Sequence, residues 1–177
     1  MIFYFTPYSL EKDLGKGYND YMKLIGDDDW ACFTDGDVMF LRPDFGHQIA
    51  EYVQNYPNTG LFTAYTNRVG TIKQCYEGKI SDENKIDTHI TIAKNTNSNS
   101  VKKINHVISG HLMLIKKSVW KQVGGFPENT KKANILGVDN VFSQKILDAG
   151  LEILVMEGVY VWHTYRLGDT NNTSHLK

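Results

Sequence analysis

The chain has 177 residues, 41% of them hydrophobic and 12% aromatic, enough to bury one core in one domain spanning 1–177. Its formal net charge of −1 excludes a protein built mainly to bind nucleic acid, which would carry a strong basic excess. No apolar run approaches the roughly eighteen residues that span a bilayer. Met1 to Pro7 lacks the basic start of a secretory leader, so the expectation is a cytoplasmic protein without a transmembrane segment.

Ile2 to Thr6 reads as a first strand, stopped by Pro7. A helix follows from near Lys16 to Ile25, because Tyr18, Tyr21, Met22 and Ile25 recur at three and four. Gly26 and three aspartates end it. Trp30 to Thr34 is a continuous apolar strand that delivers Asp35 and Asp37 to a turn, where both carboxylates can reach one hard divalent cation. A cation held this way keeps positions open for phosphate oxygens. Asp and Gly also form turns for purely conformational reasons, and Asp27 and Asp29 repeat the spacing in a solvated run. Cys32 sits in the apolar strand as a small core residue, and with Cys75 makes neither a disulfide framework nor a zinc pattern.

Phe45 to Tyr56 reads as a helix stopped by Pro57, and Thr59 to Val69 as a strand. From Thr71 to about Asn105 the sequence is polar and loses its period, which suggests a mobile insertion at about 71–105 or a short helical excursion. Such a segment either closes over substrate or is a plain solvated insertion. Gly137 and Asn140 fit a helix start, placing Asp139 near an N-terminus. There it serves either as a general base or as a capping residue. His163 ends a strand through Val159-Tyr160-Val161-Trp162, as a metal ligand, a half-exposed residue or a buried structural histidine.

Three blocks together resemble the glycosyltransferases of the GT-A fold, especially family 2. These are Trp30 to Asp44 with its D-G-D, Ile108 to Glu128 with a strand, a basic pair, a short helix and Gly124-Gly125-Phe126, and Gly137 to His163. They stand in the family's order over roughly the last four fifths of the chain. The resemblance implies an α/β, GT-A-like mixed sheet flanked by helices, reduced in size. It also implies transfer of a sugar from a UDP- or GDP-sugar donor to a carbohydrate, lipid-linked or protein acceptor, with Mn²⁺ or Mg²⁺ and inversion.

Carried over by position, Asp35, Asp37 and His163 hold the metal and Asp139 is the base. Thr6, Pro7, Lys16, Asp35 and Arg166 meet the nucleotide, and Gly110, His111 and Trp120 meet donor or acceptor sugar. For His111 and Trp120 the competing reading is core packing, and the Gly15-Lys16-Gly17 triplet is not a phosphate-binding loop but a flexible turn. The chain departs from the family at Val138, where an acid is usual, and shows no counterpart of the strands that hold the base. Two rival functions are a small-molecule nucleotidyltransferase, which uses similar paired aspartates, and a non-catalytic carbohydrate-binding domain.

Overall fold

The computed structural model describes residues 1–96, 98–128 and 137–164. Among them the chain forms an open, mixed seven-stranded sheet flanked by helices, compatible with a GT-A-like arrangement. In chain order these are β1 (Ile2–Phe5), α1 (Leu14–Leu24), β2 (Trp30–Thr34), β3 (Val38–Phe40), α2 (Phe45–Asn55), β4 (Leu61–Thr66), α3 (Ile86–Asn95), β5 (Val101–Ile104), β6 (Leu112–Lys116), α4 (Lys117–Gln122), α5 (Val138–Asp148) and β7 (Ile153–His163). The sheet runs β1-β2-β6-β4-β7-β3, and β5 pairs β7 beside β3. The β1/β2 and β4/β7 pairs are parallel, while β6 runs antiparallel to both β2 and β4.

Strand β2 reads as a solid apolar run because both its faces are covered. Trp30 and Cys32 pack with Ile49 and Tyr52 of α2, whereas Ala31 and Phe33 pack with Tyr18 and Met22 of α1 and Phe142 and Ile146 of α5. The alternation sorts the sheet into three layers, with α2 on one side and α1, α3, α4 and α5 on the other. Asp13 caps α1 by accepting the Lys16 N–H at 3.0 Å, so the helix starts two residues before the expected Lys16.

The polar stretch 71–105, read from sequence as a mobile insertion or a short helical excursion, has helical structure. It holds two 3₁₀ turns, at Ile72–Gln74 and Tyr76–Gly78, then α3 and β5. Helix α3 escapes an apolar count because the centre of its buried face is His89, fully enclosed. Its Nδ1 meets the Tyr160 hydroxyl at 2.7 Å and its Nε2 the Glu83 carbonyl at 2.6 Å, while its ring stacks on Trp162. No helix among the described residues is long and apolar enough to cross a membrane.

Candidate metal centre

Because β1, β2, β4 and β7 point the same way and β6 runs against them, their carboxyl ends and the start of β6 share one edge of the sheet. Ligands of open α/β sheets gather at such an edge. Strand β2 ends at Thr34, and the next amide, Asp35 N–H, donates to the His111 carbonyl at 3.1 Å, extending the β2/β6 ladder by one bond. Val38 N–H then donates to the Asp35 carbonyl at 3.2 Å and closes the D-G-D turn. Strand β3 follows, pairing Val38 with His163, while Thr164 N–H donates to the Asp37 carbonyl at 3.0 Å. A three-residue strand that the sequence does not announce thus carries Asp37 to the end of β7.

Asp35, Asp37 and His163 each offer one ligand atom, and these atoms lie within 4.8 Å of one another. His163 is 5% exposed. Its Nδ1 lies 2.9 Å from the Arg68 carbonyl, which only accepts, so that nitrogen carries the proton. Its Nε2 faces Asp37 Oδ1 at 3.2 Å. A neutral imidazole nitrogen and a carboxylate oxygen both present lone pairs, and a cation between them, proton or metal ion, relieves the confrontation. Two carboxylates and an imidazole held in this way can chelate a divalent metal.

The electrostatics mark the same place. Burial pushes the Asp35 carboxyl up to about 6, with His163 opposing and with Asp37 and Asp139 adding to the rise. Burial raises Asp139 as well. Tyr18 of α1, read from sequence only as a core face, lies close enough that the charges of Asp35 and Asp139 join burial in raising its phenol. His111 is 1% exposed, its ring is stacked nearly parallel on His163 at 5.9 Å, and neither of its nitrogens has a hydrogen-bond partner among the described residues. The backbone of Ala64 and Ser109 approaches the ring without hydrogen-bond geometry. Burial first, then His163, lowers its pKa to about 3, so the ring stays neutral.

Asp139 is not the cap of α5. Gly137 takes the N-cap with φ 89, a left-handed conformation that suits glycine, and Asp139 stands two residues further in. Its Oδ2 accepts the Gly110 N–H at 2.7 Å and its Oδ1 the Asn140 N–H at 2.8 Å. Gly110 has a packing reason to be glycine, since a Cβ there would lie 2.9 Å from the Asp139 Cβ. The contact draws the loop before β6 onto the start of α5.

The other expected site residues are distributed unevenly. Thr6 lies against the D-G-D turn, its Cγ2 3.7 Å from where a Cβ on Gly36 would be, and Pro7 follows it. Lys16 is on the outer face of α1, with Nζ bonded to Asp20 at 3.1 Å rather than joined to the cluster. Trp120 packs against the core and donates its indole N–H to Asn19 at 2.8 Å, so it braces the Gly124-Gly125-Phe126 turn. Arg166 lies outside the described residues. Asn67 and the Arg68 carbonyl, which hold His163, were not anticipated, because a polar Asn67-Arg68 directly after the all-buried β4 reads as an ordinary strand end.

No protein-family model matches this chain, and no curated protein is detectably similar to it.

Proposed function

We propose that the chain is a metal-dependent glycosyltransferase that moves a sugar from a UDP- or GDP-sugar to a hydroxyl of a carbohydrate, lipid-linked or protein acceptor, with inversion. The observation that carries the reading is the convergence of Asp35, Asp37 and His163 at the carboxyl edge of an open α/β sheet, with Asp139 in electrostatic reach of Asp35. The mixed oxygen and nitrogen donors fit Mn²⁺ better than Mg²⁺, which favours oxygen ligands. Bound there, the cation would offset the charge that grows on the departing diphosphate.

Asp139 is the base. Its carboxylate takes the proton of the acceptor hydroxyl as that oxygen attacks the anomeric carbon. Each of its oxygens already accepts one amide N–H, which fixes the group while leaving a second lone pair on each. Burial raises its pKa, the direction that strengthens a carboxylate as a base. Thr6 and Pro7, beside the D-G-D turn, border the nucleotide, and Gly110 borders the sugar with His111 buried behind it.

The test is product analysis with a panel of nucleotide sugars and Mn²⁺. Release of nucleoside diphosphate, dependent on Mn²⁺ and lowered about a hundredfold or more by Asp139→Asn, is expected. Pyrophosphate release would instead assign nucleotidyl transfer. Absence of turnover together with absence of metal binding would leave a carbohydrate-binding domain.

A further inference from the structure

Among the described residues, three buried carboxamides make the same contact. The Oδ1 of Asn67 accepts the His163 N–H at 2.8 Å and its Nδ2 donates to the His163 carbonyl at 3.1 Å. Asn19 grips Phe126 in the same way, at 2.9 and 3.0 Å, and Gln74 grips Ser109, at 2.8 and 3.0 Å. A carboxamide presents an acceptor and a donor side by side, as a neighbouring strand does, so each completes a ladder where no strand continues. The gripped residues end β7, follow α4 and precede β6, and the first and last of these segments bring His163 and His111 to the sheet edge.

At His163 the grip bears directly on the metal centre. The β4/β7 ladder ends at Thr66↔Val161, which leaves the backbone of buried His163 facing the β4 side beyond the last strand residue. Asn67 supplies the missing pair of bonds, and the next residue, Arg68, offers its carbonyl to the ring Nδ1. We infer that Asn67 is the positioning residue of the metal centre, holding His163 so that Arg68 selects the Nδ1–H form and the Nε2 lone pair faces Asp37. This rests on the metal reading above and adds the residue on which the third ligand depends. A buried partner that fixes the tautomer and direction of a ligating histidine is commonly needed for full metal affinity.

The test measures Mn²⁺ alone by electron paramagnetic resonance in the unmutated chain, Asn67→Ala and Asn19→Ala, together with the ring ¹⁵N spectrum of His163 in the metal-free unmutated chain. Asn67→Ala is expected to weaken Mn²⁺ binding about tenfold or more, whereas Asn19→Ala lowers the melting temperature and changes the affinity less than about twofold. Unchanged affinity in folded Asn67→Ala would overturn the inference. Should that variant fail to fold, the spectrum decides: a proton on Nδ1 supports the positioning role, and a proton on Nε2 alone refutes it. Failure of the unmutated chain to bind Mn²⁺ would remove the metal reading itself, and the spectrum would still decide the positioning of His163.

Discussion

Asp35 stands among groups that favour its proton. Burial is the largest cause of its rise to about 6, and Asp37 and Asp139 add to it against the opposing His163. Because the folded value is raised, the metal-free fold draws stability from the protonated carboxyl below the unfolded value of about 4 and loses it as pH rises through about 6. A cation needs the ionised carboxylate, so Mn²⁺ and the proton compete. The rise in melting temperature produced by Mn²⁺ is therefore expected to be small at pH 5 and to grow through pH 7.5, read by thermal unfolding at fixed metal concentration. A metal-induced shift independent of pH over that interval would show that Asp35 is not a ligand.

Asp139→Asn separates chemistry from architecture at the same scale. Asparagine can still accept one N–H through its carbonyl oxygen, but its amide nitrogen cannot replace the other carboxylate oxygen, and it cannot take a proton. Some loss of stability is therefore expected in a chemical melt, together with the much larger loss of transfer rate. A variant with the unmutated transfer rate would leave Asp139 as a tie between α5 and Gly110.

Among the elements, α5 matters because it holds Asp139 in place. Phe142 is fully buried on it and stacks on Phe126 with ring centres 3.9 Å apart. Phe142→Ala is expected to cost about 3–5 kcal/mol of stability in denaturant melts, while the folded fraction keeps its Mn²⁺ affinity. A loss well below that would mean that α5 is not docked through this side chain. Strand β5 pairs four residues with β7, so those amides of Val101–Ile104 that point at β7 are expected to exchange slowly with or without ligand. We expect ligand-dependent protection in the polar stretch 79–85. Equal exchange there with Mn²⁺ and nucleoside diphosphate present or absent would make it a plain surface connection.

The same elements show what the sequence discloses. The D-G-D turn is legible because β2 is an unbroken apolar run whose end is marked by acids. Helix α3 is hidden because His89, satisfied on both ring nitrogens, takes an apolar residue's place in the helical period. Strand β3 is too short to show a period, and it exists because the far end of β7 returns beside it. Asn67 is illegible for a related reason: a carboxamide replaces a strand only where two remote segments come to lie side by side, which local pattern does not encode.

Across the whole molecule, parallel strands and the reversed β6 bring the ends of β2, β4 and β7 and the start of β6 to one edge, so remote residues meet in one cluster. The central claim is that this cluster binds a cation that in turn binds a nucleotide. Thermal unfolding with UDP or GDP, with and without Mn²⁺, in the unmutated chain and in Asp37→Ala tests it most directly, since a ligand of the native state raises the melting temperature. The nucleotide is expected to stabilise the unmutated chain only when Mn²⁺ is present, and to leave a folded Asp37→Ala unchanged. Equal stabilisation without Mn²⁺, or in Asp37→Ala, would contradict the account.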